Sequence, residues 1–137
     1  MKKSCGVLVQ YKDTYLLGHA SGQGRQNFGI PKGGQEKGET DEETALRELY
    51  EETSIRLTPG YLSSEPLIQY RAKNGKYMTV FLAQREEKPE NVECLSYVGT
   101  SNRKEFDYFV WVTKEEGLEM LANNHMKQIF ERLCHNH

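Results

Sequence analysis

The stretch Gly33–Ile55, GGQEKGETDEETALRELYEETSI, decides how the rest of the chain is read. Thr40 followed by Glu43 is a capping-box pattern and predicts a helix from about Asp41 to Thr53. In that helix Glu48, Glu51 and Glu52 stand at i, i+3 and i+4 and share one face. Adjacent carboxylates repel, so such a face is either a solvated acidic surface or a cradle for a cation. The preceding Pro31-Lys32-Gly33-Gly34, read as a tight turn, favours the cradle, because glycine lets backbone approach a ligand closely. Hard divalent cations such as magnesium take oxygen ligands and leave room for substrate phosphates. The other face carries Ala45, Leu46, Leu49 and Tyr50 and is expected to pack on a sheet. Arg47 is four residues from Glu51 and can pair with it, or reach back to Glu39.

The spacing Gly33, five residues, Glu39, seven residues, Arg47-Glu48-Leu49, one residue, Glu51-Glu52, one residue, Ser54-Ile55 resembles the Nudix box. Every fixed position of that box matches except Ser54, where the family has glycine. The resemblance implies an α+β fold, an α/β/α sandwich with a mixed β-sheet between helices, in a single domain over 1–137. It also implies hydrolysis of a phosphoanhydride bond, with Mg2+ as cofactor and Mn2+ as an alternative. Carried over by position, Glu48, Glu51 and Glu52 are metal ligands, the carbonyl of Gly33 adds another, and Arg47 with Glu39 orients the acidic face. Glu105, in Lys104-Glu105-Phe106-Asp107, is similar to the glutamate-plus-strand segment of RNA pyrophosphohydrolases and dinucleoside polyphosphate hydrolases in the family. It is the candidate for a further ligand or base, with Asp107 and Glu93 behind it.

Lys32, Arg25 and Lys3 are candidates to hold phosphates, each with a solvated surface charge as the alternative. Tyr70 and Phe28 are candidates to stack a base, and a core position is the alternative for Tyr70. The favoured substrate is a dinucleoside polyphosphate or a 5′-triphosphorylated RNA end. Sanitation of nucleoside triphosphates, cleavage of ADP-ribose or a nucleotide sugar, and a non-catalytic nucleotide-binding module stand as alternatives. The expected state is a monomer or homodimer.

Composition predicts a soluble globular protein. The 137 residues are 28% charged and 36% hydrophobic, which fits neither a disordered nor a membrane-spanning chain. The N-terminal MKKSCGVLVQYKD is too short and too interrupted for a signal peptide and reads as a first strand. Three widely spaced cysteines, Cys5, Cys94 and Cys134, make no disulfide framework and suit a reducing cytoplasm. A net charge of −2 argues against a large basic nucleic-acid surface.

Outward from the box, Cys5–Tyr11 and Tyr15–His19 predict a hairpin turned at Lys12-Asp13-Thr14. Ile55–Leu57 is expected as a short strand. Leu67–Ala72 and Tyr77–Gln84 flank an Asn74-Gly75 hairpin signal. Phe106–Thr113 is aromatic and β-branched, a further strand. Lys114–Leu121 and His125–Leu133 predict two helices, the second amphipathic.

Overall fold

The computed structural model describes residues 2–22, 24, 27–72, 75–121 and 126–135. Its organising feature is a hairpin that splits. Strands β1 (Lys3–Tyr11) and β2 (Thr14–Ala20) pair antiparallel only beside the turn, at Gln10–Tyr15 and Tyr11–Thr14. Beyond that they separate, and two short strands fill the fork. β3 (Phe28–Gly29) pairs with β2, and β4 (Lys32–Gly34) pairs with β1 at Ser4–Gly34, Cys5–Gly33 and Gly6–Lys32. The segment Pro31–Gly34, expected as a tight turn, is therefore strand for most of its length. Gly6 of β1 allows the close approach: a Cβ there would stand 2.7 Å from the Pro31 carbonyl oxygen.

On its far side β1 pairs in parallel with β6 (Tyr77–Arg85), which pairs antiparallel with β5 (Ile68–Arg71). Strand β7 (Phe106–Val112) runs antiparallel along β2. The sheet is thus mixed, as expected. Ile55–Leu57 forms no strand. Ile55 instead buries its side chain against the first helix, and a 3₁₀ turn follows at Pro59–Tyr61.

Alternation along β1 builds two cores. Cys5, Val7 and Val9 point to one face, where helix α1 (Asp41–Thr53) lays Ala45 and Leu49 against Leu16, Phe81 and Ala83. Leu8 points to the other face and joins Leu17, Val80, Val112, Ile129 and Phe130 under α2 (Lys114–Met120) and α3 (Lys127–His135). The sheet between these layers gives the α/β/α sandwich. Asn74, at the expected hairpin turn, and His125, at the expected start of the last helix, lie outside the described residues. No helix among the described residues is long and apolar enough to cross a membrane.

Candidate active site

Helix α1 starts where the capping box places it. Thr40 accepts from the Glu43 N–H, and the Glu43 carboxylate accepts from the Thr40 N–H. The helix ends at Ser54, whose φ of 69° and ψ of 4° are left-handed. The chain then returns to the helix end: the Glu93 N–H donates to the Thr53 carbonyl, and those of Leu95 and Ser96 to the Glu51 carbonyl. Ser54 Oγ donates to the Glu93 carbonyl at 2.6 Å and ties the same segment down.

Arg47 organises the acidic face. Its Nε and Nη2 donate to the two oxygens of Glu39 at 2.7 and 3.1 Å, a bidentate pair. Nη1 donates to Glu48 Oε2 at 2.7 Å and to Glu51 Oε2 at 3.3 Å, and Nη2 also donates to the Gly34 carbonyl. Glu39 further accepts from the Glu36 N–H and the Thr44 hydroxyl. The Arg47 hydrogen bond, more than anything else, holds the Glu39 carboxyl down at about 2. One guanidinium thus joins the loop, the helix and the β4 carbonyl, and it presents Glu48 toward the sheet.

Glu48 and Glu52 are buried, and Glu52 is only 4% exposed. The Lys32 N–H donates to Glu52 Oε1 at 3.4 Å. Burial pushes the Glu52 carboxyl up to about 10, and hydrogen bonds and charge from Glu48 and Glu105 push the same way. Carboxyls in such contact require a positive charge shared among them, whether a proton or a cation. Glu105 reaches this point from just before β7, and Ser96 Oγ donates to its Oε2 at 3.3 Å.

A cleft of about 350 Å³ opens beside the group, lined by Lys32, Glu52, Glu105, Phe28, Phe106 and Met126 among others. Gly33 lies directly against Glu48: a Cβ there would overlap the Glu48 carboxyl group. An all-oxygen donor set next to backbone with no side chain in the way suits a hard divalent ion. Among the described residues no three or more His, Cys, Asp or Glu side chains are set in a metal-holding arrangement as they stand, and Arg47 engages Glu48 Oε2.

Glu48, Glu52, Glu105, Lys32 and Phe28 are therefore brought together, with Arg47 behind them. Glu51 lies beside Arg47, more open to solvent than Glu48. The structure does not bring Lys3 to the cleft: its ammonium pairs with Asp41 at 3.1 Å. Tyr70 is turned toward the core, where its hydroxyl donates to Met126 Sδ and burial raises its pKa to about 12. Arg25 lies outside the described residues. The two fallbacks for Glu105 are otherwise engaged, Glu93 with Lys104 and Asp107 with His19. Sequence reading missed Ser96, which steadies Glu105, and Met126 in the cleft wall. A lone serine in a loop and a methionine just ahead of an amphipathic helix carry no signal that could have found them.

The cysteines are free. Cys5 is buried under α1, its thiol pushed up to about 12 mainly by burial, which makes it inert.

Comparison with known proteins places this geometry. An RNA pyrophosphohydrolase from Azorhizobium caulinodans is 29% identical over 120 residues, covering 77% of this chain and 69% of that protein. An Ap4A hydrolase of C. elegans, solved as a binary complex, superposes with a TM-score of 0.73 at 20% identity, covering 96% of both chains. The NUDIX domain of Shewanella oneidensis NrtR, solved with ADP ribose, gives a TM-score of 0.72 at 17% identity, over 97% of this chain and 86% of that one. At these identities the structures bear on the fold. A NUDIX domain family model matches residues 2–133, and the chain belongs to that family.

Proposed function

We propose that this chain is a divalent-metal-dependent pyrophosphohydrolase acting on a nucleoside polyphosphate. Its favoured substrates carry at least three linked phosphates, as in a dinucleoside polyphosphate or a 5′-triphosphorylated RNA end. The observation that carries this reading is the meeting of Glu52 with Glu105 at one cleft beside Lys32, with Glu48 against Glu52. A solvated acidic face would spread such charges apart and leave them open to water, whereas here two are buried.

Glu48, Glu52 and Glu105 would hold Mg2+ or Mn2+, with Glu51 at the rim and the Gly33 backbone close by. Bound there, the ion would polarise a phosphate oxygen and make a water acidic enough to attack at neutral pH. The chain's own residues do the rest. Arg47, fixed by Glu39, keeps Glu48 turned inward without touching phosphorus. Glu105, steadied by Ser96, is placed to take the proton from the attacking water at its carboxylate. Lys32 offers its charge to the phosphates at the cleft wall, and Phe28 and Met126 supply apolar surface for the nucleoside. The names of the sequence relative and of the Ap4A hydrolase agree with a polyphosphate substrate.

Phosphate or nucleotide release in magnesium over diadenosine tetraphosphate, triphosphorylated RNA, damaged nucleoside triphosphates and ADP-ribose tests the reading. The first two should turn over fastest. ADP-ribose cleaved well above both would overturn the substrate choice. No release from any of them would leave a nucleotide-binding module instead.

A further inference from the structure

We propose that Tyr108 is the platform on which the substrate's nucleobase stacks, a specificity-determining residue beside the cleft; this rests on the nucleotide reading above. Tyr108 lies on β7, three residues beyond Glu105, and is 48% exposed. A single exposed tyrosine is ordinary on a protein surface. The support beneath this one is not. Its ring stacks on the His19 imidazole at 4.6 Å with an interplanar angle of 13°, so one face is already backed by a second ring.

His19 is itself only 6% exposed and is fixed from both ring nitrogens. Nδ1 lies 2.8 Å from Asp107 Oδ1, and Nε2 lies 2.9 Å from the Gly24 carbonyl. Phe28 meets the edges of both rings, at 5.1 Å from His19 and 5.9 Å from Tyr108. Phe28 also lines the cleft that holds Glu52 and Glu105, so the platform and the acidic group share a wall.

The register explains the placement. His19 pairs with Tyr108 and Ala20 with Phe106, which leaves Asp107 as the extra residue of a β-bulge. The bulge frees the Asp107 carboxylate to hold His19. It also leaves Glu105 and Phe106 at the cleft while Tyr108 stands up to about 10 Å from Glu105 along the strand, a separation of the same order as that from a nucleotide's phosphate to its base. A ring already fixed in place loses little freedom when a base covers it. Tyr70, by contrast, is partly buried against the core with its hydroxyl on Met126.

The test compares wild type, Tyr108→Ala and Tyr108→Phe on diadenosine tetraphosphate and on inorganic tripolyphosphate, which has no base. Tripolyphosphate is read as substrate or, if uncleaved, as a competitor by its Ki. Tyr108→Ala should raise KM for the nucleotide on the order of tenfold, with kcat and the tripolyphosphate constant little changed. Tyr108→Phe should match wild type, because stacking needs the ring and not the hydroxyl. Quenching of 2-aminopurine riboside triphosphate on binding gives a second readout that needs no turnover. An inactive wild type that still quenches through Tyr108 would sink the hydrolase reading and keep the platform. Tyr108→Ala within about twofold of wild type in both readouts would overturn the platform. So would an equal loss on nucleotide and tripolyphosphate, which marks a general structural role.

Discussion

Ser54 occupies the one box position where this chain departs from its family, and the structure changes what replacing it should do. Glycine at this position suits a left-handed backbone after the helix, so a serine there either avoids that conformation or carries its strain, and in the second case Ser54→Gly is expected to raise the melting temperature. The strain is present: φ is 69°, left-handed. A residue with Cβ loses roughly 1–2 kcal/mol there. The serine hydroxyl, however, donates to the Glu93 carbonyl at 2.6 Å, a bond contributing about 1 kcal/mol. Glycine would also gain freedom in the unfolded chain, a loss of roughly 0.4–1 kcal/mol. These terms cancel to within about 0.5 kcal/mol, so Ser54→Gly should melt within about 2 °C of wild type. Ser54→Ala keeps the strain and removes the bond. It should fall by about 1 kcal/mol, or roughly 3–4 °C. Calorimetric melting of the three proteins decides the matter. A gain of about 4 °C or more in Ser54→Gly, or an unchanged Ser54→Ala, would show that the hydroxyl offsets nothing.

Glu105→Gln keeps size and removes charge; kcat should drop about a hundredfold or more with the fold intact, and a value within about threefold of wild type would remove Glu105 from the chemistry. Gly33→Ala puts a methyl group into the Glu48 carboxyl, so magnesium-dependent turnover should be lost while circular dichroism stays native; full activity would show that Glu48 can move aside. Thr40→Ala removes the side-chain cap and should destabilise by about 1 kcal/mol, read as a lower urea midpoint. Glu39 is held at about 2 against the usual 4.5, so its contribution is whole above pH 4.5 and fades as pH falls toward 2. Discounted for solvent screening, that contribution is about 1–2 kcal/mol. The melting difference between wild type and Glu39→Gln should therefore shrink across that window, and a constant difference would contradict it.

The helix was legible to the residue because its signals are local. The Thr40–Glu43 box, the acidic first turn and the apolar face of Ala45 and Leu49 all act within a few turns of chain. Most strands were legible for the same reason, through alternation and turn residues. Pro31–Gly34 was not, because nothing local says that β1 and β2 separate and open a fork for it to fill. Ile55–Leu57 failed in the opposite sense. Its β-rich residues bury against α1 without a strand partner, a tertiary contact overriding local preference.

The site divides along the same line. Glu48, Glu52 and Arg47 follow from spacing on one helix, whereas the Glu105 position depends on a chain of long-range contacts. The C-terminal carbonyls of α1 hold Glu93, Leu95 and Ser96, Ser54 Oγ holds Glu93 again, and Ser96 then holds Glu105. The helix that presents two of the acidic residues therefore also anchors, through its own unsatisfied end, the segment that aims the third. Loosening that end should reach Glu105 before it reaches Glu48, which Arg47 fixes independently. Ser54→Ala should accordingly lower turnover more than nucleotide affinity, although no atom of Ser54 lines the cleft.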